Sequence, residues 1–200
     1  MEQNFESLRQ EIVDKSLEAF RQGLFSGTSG NMSCRVAPDE MLITPTSVRY
    51  EALRAQDIVR MKLDGMVVEG ALQPSSEWRM HAAVYKAYPE TNAVFHTHSP
   101  YATAFAVVRR SIPAVLIEAR IFLGGDVRCA DYATPGTKEV GMNAVPALFE
   151  RGGCTLANHG VLAVGEDLAQ AYLRAEYIED VAKIYTYAKA IGEPVVLDTL

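Results

Sequence analysis

The sequence predicts an α/β fold on a central, largely antiparallel sheet, and three observations carry that prediction. Short apolar runs of strand length alternate with longer runs whose apolar residues recur every three to five positions. Several of the short runs are separated by turns too brief for a helical crossover, so their strands must pair antiparallel. No repeat, low-complexity tract or linker divides the chain, and residues 1–200 read as one domain.

Phe5, Leu8, Ile12, Leu17, Phe20 and Leu24 give an amphipathic first helix, stopped by the glycine-bracketed turn Gly27-Thr28-Ser29-Gly30-Asn31. Met32 to Val36 and Met41 to Thr44 read as strands flanking a turn at Pro38-Asp39, and a short helix is expected from Tyr50 to Arg54. Asp57 to Leu63 and Met66 to Val68 form a hairpin through Asp64-Gly65, a favoured turn pair. Pro74-Ser75-Ser76-Glu77 opens a second helix to about Ala87, with a serine cap and an acid in the first turn. Ala93 to His96 is a strand and Pro100 to Val108 a helix, while Ala114 to Ile117 suits another strand. Val127 to Ala130 is extended, and Thr137 to Glu150 is helical with a kink at Pro146. Cys154 to Ala157 and Val161 to Val164 are strands bracketing Asn158-His159-Gly160. A long helix follows from about Asp167 to Ala190, with Leu168, Ala171, Tyr172, Ala175, Ile178 and Val181 on one face.

Composition narrows the function. Hydrophobic residues make up 48% and charged residues 22%, as in globular proteins, and the net charge of −6 argues against nucleic acid or an anionic membrane as partner. No stretch has the length and apolarity of a spanning helix. Glu2, Glu6 and Glu11 at the N-terminus are unlike a signal peptide. Cys34, Cys129 and Cys154, odd in number and without a CxxC pair, read as buried reduced thiols of a cytoplasmic protein.

The chemistry centres on Ala93-Val94-Phe95-His96-Thr97-His98-Ser99. In a strand, residues i and i+2 share a face, so His96 and His98 can converge on one cation while Thr97 faces away. His159 follows another apolar run, and Glu77 heads a helix. Three imidazoles and a carboxylate suit a divalent metal, zinc first. Each residue also has a plain reading: Glu77 as a first-turn helix acid, His159 as a turn residue bonded to backbone. Three hydroxyl-rich elements suit an anion such as a phosphate ester: Gly27 to Asn31, Thr44-Pro45-Thr46-Ser47, and Ser75-Ser76 at a helix N-terminus. They are equally readable as turns and a cap, and none matches a nucleotide-binding loop.

Six motifs fall in order: Gly27-Thr28-Ser29-Gly30-Asn31, Ile43-Thr44-Pro45-Thr46, Pro74-Ser75-Ser76-Glu77-Trp78-Arg79, His96-Thr97-His98, Tyr132-Ala133-Thr134-Pro135-Gly136-Thr137 and Asn158-His159-Gly160. Through them the chain resembles the class II aldolase/adducin family up to about Val195. The resemblance implies a three-layer sandwich with a central, mainly antiparallel sheet, assembled as a C4 homotetramer with sites at subunit interfaces. It implies zinc-dependent retro-aldol cleavage of a ketose 1-phosphate to dihydroxyacetone phosphate and an aldehyde, with one zinc per chain or another divalent metal in its place. The family's metal ligands fall on His96, His98 and His159. Its acid/base carboxylate, a further ligand when the site is empty, falls on Glu77. Its phosphate-binding positions fall on Thr28, Asn31, Thr46, Ser47, Ser75 and Ser76.

Two departures concern the aldehyde half of the substrate. Counted back from Gly124-Gly125, the family's proton-donating tyrosine falls on Glu118, in a segment one residue longer than the pattern. The sequence also ends at Leu200, short of an extension that helps close the family's aldolase site. Glu118 would act as acid/base, or suit epimerisation, dehydration or decarboxylation. Among family alternatives, a pentulose-phosphate 4-epimerase typically has Asp where this chain has Glu77. The adducin head, an interaction module, lacks the full metal set kept here.

Overall fold

The computed structural model describes residues 5–197; Glu2 and Leu200, on which the readings of the two chain ends rest, lie outside them. In chain order the elements are α1 (Glu6–Arg21), β1 (Asn31–Ala37), β2 (Glu40–Ile43), β3 (Val59–Lys62), β4 (Val67–Glu69), α2 (Trp78–Ala87), β5 (Ala93–Thr97), α3 (Pro100–Val107), α4 (Ile117–Leu123), β6 (Arg128–Ala130), α5 (Lys138–Ala147), β7 (Gly153–Leu156), β8 (Gly160–Gly165) and α6 (Leu168–Ile191). Among the described residues the strands form one sheet in the order β4-β3-β2-β1-β5-β8-β7-β6. Every neighbouring pair is antiparallel except β6–β7, which are joined through helix α5, the crossover a parallel pair requires.

Strand periodicity sorts the apolar residues into two cores. On β5 Ala93 and Phe95 join one and Val94 the other; on β8 Val161 and Ala163 oppose Leu162 and Val164 in the same way. The first core is covered by α1, α3, α4 and α6, the second by α2 and α5, giving three layers. Beneath β5 the aromatic rings of Tyr50, Phe25, Phe95 and Tyr172 follow one another at centroid separations of 4.6, 5.0 and 5.5 Å. Full burial of a Phe such as Phe95 contributes about 1.5–3 kcal/mol, so this row anchors the strand that carries two of the histidines.

Four local expectations change. Tyr50 to Arg54 is a turn, not a helix: the Asp57 carboxylate accepts the Arg54 N–H at 2.9 Å and starts a 3-10 turn at Ala55–Asp57 instead. Ala114 to Ile117 is not a strand. Ile112 makes an isolated bridge to Val127, and α4 then buries Ala119 and Leu123 one turn apart. Helix α5 ends at Ala147, so the chain leaves the helix one residue after Pro146 instead of continuing past a kink to Glu150. Cys34 and Cys154 are buried free thiols, whereas Cys129 is half-buried. No helix among the described residues is long and apolar enough to cross a membrane.

Candidate active site

The two-residue period of β5 turns Val94 and His96 toward the α2 layer, and His98 follows just past the strand end. Thr97 is buried on the opposite face, its hydroxyl donating to Ser99 Oγ at 3.3 Å. His159 sits in the tight β7–β8 turn, where Asn158 adopts a left-handed backbone with φ 55°. Gly160 lets that turn close on β5: a Cβ there would collide with the Thr97 carbonyl oxygen and stand 3.2 Å from the His96 ring. The three imidazoles converge, with centroids 4.7–5.2 Å apart and ligand atoms within 4.8 Å of one another.

Their electrostatics suit a cation. His96 Nδ1 donates to the Val161 carbonyl at 2.8 Å, which fixes the tautomer and leaves Nε2 as a lone pair, 3.0 Å from His98 Nε2. His159 Nδ1 is buried without a hydrogen-bond partner. Burial drives the His96 pKa well below its ordinary value, lowers that of His98, and takes His159 down to about 4, with His98 beside it adding to the effect. Three neutral imidazoles with converging nitrogens are a donor set that fits a divalent metal.

Glu77 lines the same cavity but stands outside the histidine cluster. It is the N-cap of α2 itself, rather than a first-turn acid behind a serine cap, and the Ser75 hydroxyl oxygen accepts the Glu77 N–H at 3.3 Å. The residue is buried, and its Oε2 has no partner. Burial raises its pKa, opposed by the nearby Gly136 N–H, so the carboxyl takes up a proton more readily than an exposed glutamate.

The cavity holds about 250 Å³. Its far wall is Thr28 and Asn31 from the loop before β1, Thr46 and Ser47 from the segment after β2, and Ser75 and Ser76 from the approach to α2. Backbone bonds tie these loops together: Thr46 N–H donates to Gln73 O and Ser75 N–H to Thr44 O, both at 3.0 Å. Ser47 is held at φ 59°, a left-handed backbone uncommon for serine. Gly30, at φ +95°, leaves no room for a side chain against Phe25, and the Tyr50 hydroxyl donates to the Gly30 carbonyl at 2.7 Å. No Lys or Arg among the described residues lines the cavity, so neutral N–H and O–H donors face it.

Ten of the eleven site residues expected from sequence thus line one cavity. Glu118, in the first turn of α4, does not, because α4 packs on the opposite layer. Sequence reasoning missed Tyr50, which carries no local signal, and His81, whose Nε2 lies 2.5 Å from Asn31 Oδ1. The signal for His81 was its position one helical turn after Glu77.

Comparison with known proteins adds to this geometry. Residues 10–186 match the model of the Class II Aldolase and Adducin N-terminal domain. The chain is 42% identical over 195 residues to L-fuculose phosphate aldolase of Escherichia coli strain K12, covering 98% of this chain and 89% of that protein. It is 40% identical over 190 residues to 5-deoxy-D-ribulose 1-phosphate aldolase of Bacillus thuringiensis serovar kurstaki, covering 94% and 89%. A solved structure of an L-fuculose 1-phosphate aldolase superposes with a TM-score of 0.92 at 40% identity, covering 96% of this chain and 91% of that one.

Proposed function

The chain belongs to the class II aldolase and adducin family, and from that premise we propose that it is an aldehyde-lyase cleaving a ketose 1-phosphate, of the L-fuculose 1-phosphate kind, to dihydroxyacetone phosphate and an aldehyde. The observation that carries this reading is one cavity with a three-imidazole cluster, a buried carboxyl and a wall of neutral hydrogen-bond donors.

The residues divide the work. Asn31, Ser75 and Ser76, with Thr28, Thr46 and Ser47, donate hydrogen bonds to the substrate phosphate. His96, His98 and His159 hold one divalent ion, zinc first by the preference of such donor sets. A cation bound there supplies Lewis acidity, which stabilises the negative charge that builds on the carbonyl oxygen during cleavage. As the C3–C4 bond breaks, its electron pair stays with C3, and the C4 hydroxyl loses its proton as the aldehyde forms. Glu77, its pKa raised by burial, delivers the proton that C3 takes up. Glu118 of a neighbouring copy is our proposed acceptor of the C4 hydroxyl proton, in a C4 homotetramer whose sites lie at subunit interfaces. Residues 1–200 act as one domain, and the three free thiols support a cytoplasmic enzyme.

The test is to incubate the zinc-loaded protein with a panel of ketose 1-phosphates, including L-fuculose 1-phosphate and 5-deoxyribulose 1-phosphate, and assay dihydroxyacetone phosphate. Release from at least one is expected; release from none contradicts the proposal.

A further inference from the structure

We propose that His81 is a positioning residue that holds the Asn31 side chain with its NH2 group facing the cavity, which makes Asn31 a donor to the substrate phosphate. The inference rests on the reading of this cavity as a phosphate site.

The arrangement follows from two periodicities. Asn31 and Ser33 are two apart on β1 and share a face; His81 and Tyr85 are four apart on α2 and share a face. Where these faces meet, Tyr85 OH lies 2.8 Å from Ser33 Oγ, Ser33 Oγ 2.6 Å from His81 Nδ1, and His81 Nε2 2.5 Å from Asn31 Oδ1. His81 and Ser33 are wholly buried, and His81 does not line the cavity, so it reaches substrate only through Asn31. Burial keeps the imidazole neutral, with its pKa down to about 3, so the ring carries a single N–H.

Counting hydrogens sets the direction of the chain. If Tyr85 donates to Ser33, Ser33 to Nδ1, and Nε2–H to Asn31 Oδ1, all three hydrogens have acceptors. In the reverse direction Ser33 donates to Tyr85, and the phenolic hydrogen, on a residue 1% exposed, has no acceptor among the described residues. The Val94 N–H beside the phenolic oxygen is itself a donor. A buried donor without an acceptor is costly, so the first direction holds. With Oδ1 committed to His81, both amide hydrogens of Asn31 face the cavity. In the opposite orientation the Asn31 carbonyl would face the substrate phosphate and repel it.

The experiment titrates inorganic phosphate into the metal-loaded protein by calorimetry. Asparagine at 81 cannot reach Asn31, whereas the amide of glutamine can take the place of Nε2–H. His81→Asn is expected to weaken phosphate binding by about tenfold or more, the scale of one hydrogen bond to a charged group. His81→Gln is expected to recover most of that loss, and in an Asn31→Ala background His81→Asn should add nothing. Equal losses in H81N and H81Q, or an undiminished H81N loss in the N31A background, overturn the inference. If H81N does not fold, Ser33→Ala carries the test. It deletes the hydrogen that locks the imidazole tautomer and is expected to weaken phosphate binding several-fold; unchanged affinity overturns the inference. Wild-type protein that binds no phosphate overturns the site reading itself. Wild-type protein that binds phosphate and loses it in N31A, but not in H81N or S33A, overturns the role of His81 alone.

Discussion

Asn31 and His96 are direct cross-strand partners on β1 and β5, so their side chains leave the sheet on the same face. The Cα atoms of such a pair stand only about 4.5–5.5 Å apart. One rung of the ladder therefore joins the proposed phosphate wall to the histidine cluster. A ketose 1-phosphate carries its phosphate on the carbon next to the carbonyl, a separation this pair can span. The ladder continues with Ser33 opposite Val94, which makes the geometry a property of the sheet rather than of a loop.

The metal prediction is direct. Purified protein should hold about one divalent ion per chain, and His96→Ala, His98→Ala and His159→Ala should each lose it. Elemental analysis checks this. Protein without bound metal, and without gain of activity on adding zinc, cobalt or manganese, contradicts it.

If this wall holds the substrate phosphate as proposed, Asn31→Ala or Ser76→Ala should cost roughly ten- to a hundredfold in kcat/KM, since each bond to a charged group is worth about 1.5–3 kcal/mol. Unphosphorylated ketoses should be cleaved far less efficiently than their 1-phosphates. Equal rates on both would mean that these residues serve only as turns and caps.

Much of this was legible beforehand, and the exceptions share a cause. Strands of alternating apolar residues and a His-x-His at a strand end follow a period of two that survives any packing. Ala114 to Ile117 has the composition of a strand, but α4 is set by Ala119 and Leu123 packing into the core shared with α6, a tertiary choice. The side chains of Tyr50, His81 and Tyr85 find their partners about 20, 50 and 52 residues away, and no local pattern encodes such pairings. Glu77 was legible as a residue of interest, but its place as N-cap depends on Ser75 turning back on it.

Assembly gives a third prediction. Light scattering should find four copies, and mixing Glu118→Gln with Glu77→Gln subunits should restore part of the activity each lacks alone. A fully active monomer contradicts the shared site, and an active Glu118→Gln homo-oligomer removes Glu118 from the reaction.

Acid stability tests the neutral His81. The unfolded chain takes a proton at this residue below its ordinary pKa of 6.5, whereas the folded chain does so only near pH 3. Its contribution is therefore intact above pH 6.5 and lost progressively as pH falls toward 3. Urea midpoints of the chelator-treated protein should fall over that range, and less steeply in His81→Gln, which has no proton to gain there. Equal slopes contradict the assignment.

If Glu77 carries the proton in the proposed reaction, this chain moves a proton on and off C3 of dihydroxyacetone phosphate. The measurement is loss of the C3 proton signal when dihydroxyacetone phosphate is held in deuterium oxide with the metal-loaded protein, followed by NMR without any aldehyde present. One of the two C3 protons should exchange in wild type, and Glu77→Gln should slow that exchange by roughly 10²–10⁴-fold while keeping its metal. No exchange in wild type, the outcome expected of an epimerase that never protonates this carbon, would contradict the aldolase reading, and undiminished exchange in Glu77→Gln would remove Glu77 as the proton carrier.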